Sequence, residues 1–331
     1  MENLEKIDVF NFDLEKGKHK PYIPLFFQTF GRPIGTSPVV VVNHSLTGNS
    51  NVSGESGWWN GIVGENKAID TNYFTIIAFN IPGNGFDKNP ENLISNYQDF
   101  TIRDIASIFW KGLFFLNVHQ VFAAIGGSLG GAIAWEMAVL QPNKIQNLIP
   151  IATDWKATDW VVANVLIQDQ ILNNSENPIG DARLHAMLLY RTPQSINQRF
   201  KRAQSNQVFH IENWLTNHGK KLKNRFQLQS YKLMNHLLKT NDITRNRKDF
   251  LSVANEIKSA IHIISVDSDY FFIANENHET YHQLKMVKQN VFYNEIKSIH
   301  GHDAFLIEFN QLNEILEPIF NKQKQQNYVN A

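Results

Sequence analysis

Val121-Phe122-Ala123-Ala124-Ile125-Gly126-Gly127-Ser128-Leu129-Gly130-Gly131 is the stretch whose reading decides the fold. An apolar run, Val121–Ile125, leads into a glycine-flanked serine, and a helical run, Ala132–Leu140, follows. A serine between glycines at a strand-to-helix junction is the sequence form of a nucleophile elbow. The reason is steric. The serine occupies a strained turn, and side chains on its neighbours would collide with the strand and the helix. The turn lifts the hydroxyl clear of the sheet and aims it outward.

Working outward, apolar runs bounded by turn signals recur at Val39–Val42, Phe74–Phe79, Leu148–Ala152, Ile261–Val266 and Val291–Ile296. Continuous Val and Ile without alternation suits strands buried on both faces, as in a parallel sheet covered by helices. Helical patterns lie between several of them, at Asp99–Phe115, Ala132–Leu140, His278–Met286 and Gln311–Phe320. Strands alternating with helices predict an α/β class with a mostly parallel central sheet and helices on both faces. Asp8–Leu14 and Tyr22–Phe30 read as an antiparallel opening to that sheet. From about Trp155 to Asn255 the alternation stops. That stretch is rich in Asn, Gln, Lys and Arg, with helical patterns at Asp159–Leu172, Arg183–Tyr190, Ile196–Ala203 and Phe226–Leu238. The expected organisation is a core of residues 1–154 and 256–331, with 155–255 inserted as a helical cap. Active sites of open α/β sheets lie at the carboxyl ends of the strands, and a cap placed there would exclude water.

Bulk composition narrows the function classes. The chain has 331 residues, formal net charge zero and 12% aromatic residues, with no overall charge footprint for nucleic acid or an anionic membrane. There are no cysteines, which excludes disulfides, thiolate metal sites and a cysteine nucleophile. Met1–Lys6 lacks the basic-then-apolar pattern of a signal peptide. No apolar run approaches the roughly 20 residues that span a bilayer. A soluble cytoplasmic protein is the expectation.

A serine hydroxyl needs a base to take its proton and a third group to orient the base. In the α/β-hydrolase arrangement these follow in the order Ser, Asp/Glu, His. Downstream of Ser128, Val266-Asp267-Ser268-Asp269 closes one apolar run, and Ile299-His300-Gly301-His302-Asp303-Ala304 follows the last. Asp267 or Asp269 is then the orienting acid, and His300 or His302 the base. The oxyanion of acyl transfer needs preorganised N–H donors. One is expected from Leu129, directly after the nucleophile, and the other from the loop Asn43-His44-Ser45-Leu46-Thr47-Gly48. A rival motif, His278-Glu279-Thr280-Tyr281-His282, fits the His-Glu-x-x-His pentapeptide of zinc proteases. No obvious third ligand follows it, and a solvated helix face is the plainer reading.

Across most of its length the chain resembles the homoserine O-acetyltransferase family of the α/β-hydrolase fold. The resemblance is carried by Asn43–Gly48, Gly57-Trp58-Trp59-Asn60 with Lys67–Thr71, Gly126–Gly131, Ala182-Arg183-Leu184, Leu189–Thr192 and Gly301–Leu306. It implies Ser128 as nucleophile, Asp269 as orienting acid, His302 as base, and Leu46 and Leu129 as oxyanion donors. It further implies that Arg183, Tyr190 and Asp303 hold the amino acid, Arg183 on its carboxylate and Asp303 on its ammonium. Guanidinium matches a carboxylate bidentately. Acetyl-CoA as donor substrate, L-homoserine as acceptor, no permanently bound cofactor or metal, no nucleic-acid or membrane partner, and a homodimer are what the resemblance leads one to expect. One segment departs from the family pattern: Asn80-Ile81-Pro82-Gly83-Asn84-Gly85-Phe86-Asp87 looks more like the Pro-Gly-x-Gly turn of general hydrolases.

Overall fold

The computed structural model describes residues 3–329. Its main sheet has eight strands: β1 (Glu5–Asp13), β2 (His19–Gly31), β3 (Val39–Asn43), β4 (Thr75–Phe79), β5 (Val121–Gly127), β6 (Ile145–Ile151), β7 (Ala260–Val266) and β8 (Val291–Ile296). The spatial order is β1-β2-β4-β3-β5-β6-β7-β8. β2 runs antiparallel to both β1 and β4, and every other neighbouring pair is parallel. All six apolar runs are therefore strands, and the two early segments form the antiparallel opening.

Burial follows from that topology. In β3, Val39 and Val41 join one core while Val40 and Val42 join the other. Both faces are covered, so the run Val39–Val42 is apolar at every position. On the first face lie α1 (Ile102–Phe115) and α2 (Leu129–Leu140); on the second lies α10 (Phe309–Val329), through Leu312, Leu316 and Phe320. α1 starts at Thr101 because Thr101 and Asp104 form a capping box, satisfying two of the helix's orphan N–H groups.

Between β6 and β7 come α3 (Asp159–Asn174), α4 (Pro178–Tyr190), α5 (Pro193–Phe200), α6 (His210–Lys223), α7 (Leu228–Lys239) and α8 (Phe250–Glu256). α3 packs on α4 and α7, and α4 on α6, whereas α8 packs on α2 and on α9 (Ala274–Lys285). α4 begins five residues before the expected Arg183 because Pro178 sits at its first turn, where a missing N–H costs nothing. α6 had no legible pattern, since it buries only Gly219 and Leu222. Among the described residues, no helix is long and apolar enough to cross a membrane.

One buried carboxylate carries a pH consequence. Asp154, just past β6, accepts from Thr280 at 3.0 Å through both oxygens and from the Trp155 N–H at 2.7 Å. Burial still pushes its pKa from 3.8 up to about 7. A group whose folded pKa is raised contributes stability at low pH that is lost as pH rises through the folded value. Between about pH 4 and about pH 7 this site should therefore cost about 1.4 kcal/mol of stability per pH unit, and above about pH 7 the loss levels off. Urea unfolding at about pH 5 and about pH 7 should show a decline in stability that Asp154→Asn reduces. An equal decline in both proteins would remove Asp154 as its source.

Candidate active site

Ser128 has φ +56° and ψ −125°, a conformation close to glycine-only territory that costs of order 1–3 kcal/mol for another residue. It sits between β5 and α2 because two glycines permit it. A Cβ on Gly130 would lie 2.2 Å from the Asn43 carbonyl oxygen, and one on Gly126 2.5 Å from the Gly130 carbonyl carbon. The turn can thus press directly against the end of β3. The Ser128 N–H donates to Ile151 O at 2.8 Å, and its carbonyl accepts from Gly131 N–H at 2.9 Å. β3 and β5 are adjacent, so the loop after one and the elbow after the other meet at the sheet's carboxyl edge.

Tertiary structure separates the two acids and the two imidazoles. His302 Nδ1 lies 2.7 Å from Asp269 Oδ2, both side chains being almost fully buried. The other carboxylate oxygen of Asp269 accepts the N–H groups of Phe271 and Phe272 at 2.7 and 3.0 Å, leaving Oδ2 for the imidazole. Asp267 instead accepts from the Ser298 N–H at 3.0 Å and stays partly exposed. His300 turns toward the cap, where its Nδ1 accepts from Arg191 at 3.0 Å and meets Ser195 Oγ at 2.9 Å. The rings of Tyr190, Phe271, Phe272 and Phe305 surround His302 at 5.3–5.7 Å. Gly301, at φ +68°, lets the chain turn tightly beneath the end of α4, where a Cβ would come 3.0 Å from the Tyr190 carbonyl.

Ser128, His302, Leu46, Arg183, Tyr190 and Asp303 line one cavity with an empty volume of about 360 Å³. That is near the lower end of the range for small-molecule sites. A larger hollow of about 910 Å³ near Lys20–Pro24 and Glu91–Asn96 holds no comparable nucleophile and base. The N–H groups of Leu46 and Leu129 have no hydrogen-bond acceptor among the described residues, as expected for Leu129 in the first turn of α2. The Arg183 guanidinium lies 5.4 Å over the Tyr190 ring. Burial pushes the Tyr190 hydroxyl up to about 12, so it stays protonated. Burial also raises Asp303, against the opposing pull of Arg183, His302 and Arg191.

Several positioning residues had no assigned role in the sequence reading. His44 is buried; its Nδ1 donates to Ser45 O at 2.8 Å and its Nε2 accepts the Ile81 N–H at 3.0 Å. Burial pushes its pKa down to about 4, so this neutral tautomer persists at neutral pH. Asn84, Asn80, Ser50 and Gln28 continue the chain of hydrogen bonds. The segment 80–87 thus braces the loop that carries Leu46. Trp59 donates to Phe305 O at 3.1 Å and supports the His302 turn from below. The motif Gly57–Asn60 was the one available signal for that contact.

His278 and His282 face each other on exposed α9 with Nε2 atoms 3.2 Å apart. Among the described residues, no three His, Cys, Asp or Glu side chains are grouped so as to hold a metal ion.

Comparison with known proteins adds an independent line. The profile of the family described as alpha/beta hydrolase fold matches residues 38–295. The homoserine O-acetyltransferase of Cyclobacterium marinum is 33% identical to this chain, over 93% of it and 92% of the relative. The crystal structure of the homoserine O-acetyltransferase from Bacillus anthracis superposes with a TM-score of 0.87 at 18% identity, covering 97% of this chain and 98% of the other. Esterase E22 superposes with a TM-score of 0.86 at 17% identity, covering 96% and 99%. At such identities the two solved structures speak for the fold alone.

Proposed function

This chain belongs to the homoserine O-acetyltransferase family of the alpha/beta hydrolase fold, and from that premise we propose that it moves an acetyl group from acetyl-CoA to the side-chain hydroxyl of L-homoserine through an acyl-Ser128 intermediate. The observation that carries the proposal is one cavity that holds Ser128, an Asp269-bound His302, and the opposite charges of Arg183 and Asp303.

In the first half-reaction His302 Nε2 takes the Ser128 hydroxyl proton as Oγ attacks the thioester carbon. Leu46 and Leu129 N–H groups receive the charge that develops on the carbonyl oxygen. The C–S bond breaks, and the proton on His302 passes to the departing thiolate. In the second half-reaction His302 takes the proton of the acceptor hydroxyl, which attacks the acyl carbon. The Ser128 oxygen leaves and recovers that proton. Asp269 keeps the imidazole in the tautomer both steps need.

Water competes with the acceptor for the acyl group. Fixing the hydroxyl in attack geometry gives effective molarities of roughly 10⁵ M or more, against ~55 M water. Arg183 on the carboxylate and Asp303 on the ammonium would supply that fixation, and a bound ammonium would hold Asp303 ionised despite its burial.

Arg183→Ala tests the reading. It should lower kcat/KM for homoserine about 100-fold or more, the cost of leaving a buried charge unpaired, with the acylation burst changed by only a few-fold. If acylation collapses in parallel, Arg183 does not serve the acceptor. Thioester turnover in wild type should also rise when homoserine is added. A rate indifferent to homoserine would make water the acceptor and the protein a hydrolase.

A further inference from the structure

Two imidazoles stand near the end of the chain's last strand, and His302 takes the part of base, leaving His300 without a use in the chemistry. Its surroundings are nonetheless specific. Arg191 Nη2 donates to His300 Nδ1 at 3.0 Å and to Ser195 Oγ at 2.8 Å, and Ser195 Oγ lies 2.9 Å from the same Nδ1. A guanidinium has no lone pair to offer, so Nδ1 accepts; the Ser195 hydroxyl, accepting from Arg191, gives its own proton to Nδ1. The ring is therefore neutral, with its proton on Nε2. Burial, followed by the charge of Arg191, holds its pKa below the ordinary histidine value against the opposing pull of Glu308 and Asp303. Thr192 makes a second crossing beside it. Its hydroxyl donates to Ile299 O at 2.5 Å and accepts the Ser195 N–H at 3.0 Å.

These contacts join the two pieces from which the acceptor clamp is assembled. Arg183 and Tyr190 ride on α4, whereas His302 and Asp303 ride on the short turn Gly301–Leu306 after β8. On its other side the loop before that turn is tied to the core. Ser268 Oγ donates to Ser298 O at 2.5 Å and accepts the Gly301 N–H at 3.1 Å, and Ser298 Oγ donates to Glu308 at 2.7 Å. Among the described residues, His300 is the side chain of residues 298–303 that hydrogen-bonds to the cap. The core thus holds the loop from one side, and His300 holds the cap to it from the other.

We propose that His300 is a positioning residue for the acceptor: its Nδ1 lone pair latches the corner between α4 and α5 onto the loop that carries His302 and Asp303, and so sets the spacing of Arg183 from Asp303. This rests on the acceptor reading above. His300 meets no reacting atom, and its effect is geometric, since a displacement of about 1 Å costs on the order of 10²-fold in rate. That cost falls on the second half-reaction. The elbow and the Asp269–His302 pair, which serve the first, are held within the core.

The test compares His300→Leu, which deletes the lone pair, with His300→Asn, whose side-chain oxygen offers an acceptor near the Nδ1 position. His300→Leu should raise the homoserine KM about tenfold or more, the scale of a hydrogen bond to a charged group, and shift the acyl-Ser128 intermediate toward hydrolysis. The rate of Ser128 acylation should fall by far less, and His300→Asn should recover most of the loss. A folding defect would instead lower the burst amplitude and leave the KM of the surviving enzyme as in wild type. An unchanged homoserine KM in His300→Leu, or equal losses in both variants, overturns the latch. Hydrogen exchange supplies a readout that needs no acceptor: amides of residues 190–195 and 299–303 should exchange about tenfold faster in His300→Leu and near the wild-type rate in His300→Asn. If exchange behaves this way while homoserine fails to speed wild-type turnover, the latch stands and the acceptor reading fails. If homoserine speeds turnover but His300→Leu alters neither KM nor exchange, the reverse holds.

Discussion

Replacing Ser128 with alanine is expected to lower acyl transfer by about 10⁴- to 10⁶-fold, the scale on which nucleophile removal acts in serine enzymes. The loss follows from chemistry, since Ser128 is the hydroxyl that the strained turn presents to the cavity it shares with Leu46 and His302. Covalent labelling by a serine-directed phosphonate should vanish with it. Stability should hardly change, because alanine keeps the Cβ that makes φ +56°, ψ −125° unfavourable. Ser128→Gly should be equally inactive yet more stable by about 1 kcal/mol, having shed the strain. Pre-steady-state kinetics and urea unfolding of the three proteins check both halves. Transfer by Ser128→Ala within tenfold of wild type would end the acyl-serine proposal.

Asp269→Asn should cost about 10³- to 10⁴-fold in kcat with little change in KM. The carboxylate accepts a hydrogen bond from the Nδ1–H of His302 and is itself held by the N–H groups of Phe271 and Phe272. An amide in its place can donate to Nδ1, which moves the ring proton to Nε2 and removes the lone pair that must take the serine proton. Asp267→Asn is the matched control: that carboxylate faces the Ser298 N–H and solvent, and its loss should change kcat by only a few-fold. Steady-state kinetics of the two variants decide between them. Comparable losses from both, or a larger one from Asp267→Asn, would reassign the orienting acid.

Much of the scaffold was legible without coordinates, for local reasons. Strands buried on both faces have to be apolar throughout, so Val39–Val42 and Val121–Ile125 declare themselves. A serine that must adopt positive φ against a neighbouring strand needs Gly126 and Gly130 beside it, and that requirement is written in adjacent letters. Less was legible in the cap. α6 buries only Gly219 and Leu222 of its fourteen residues, so it leaves no apolar period to read.

The sequence by itself determined the α/β architecture, the position of the elbow, and the order of serine, acid and imidazole, because each depends on contacts within a few residues. From the residues alone Asp267 and Asp269, and likewise His300 and His302, stay equivalent; the family resemblance points to Asp269 and His302, and the tertiary structure is what brings those two side chains into contact. Members of each pair stand two residues apart with the same chemistry, and what separates them is the direction each side chain takes and the distant partner it meets. Asp269 and His302 are 33 positions apart and hydrogen-bonded, while His300 bonds to Arg191, 109 positions away. Those partners are brought together by the sheet and the cap, and no local pattern encodes them.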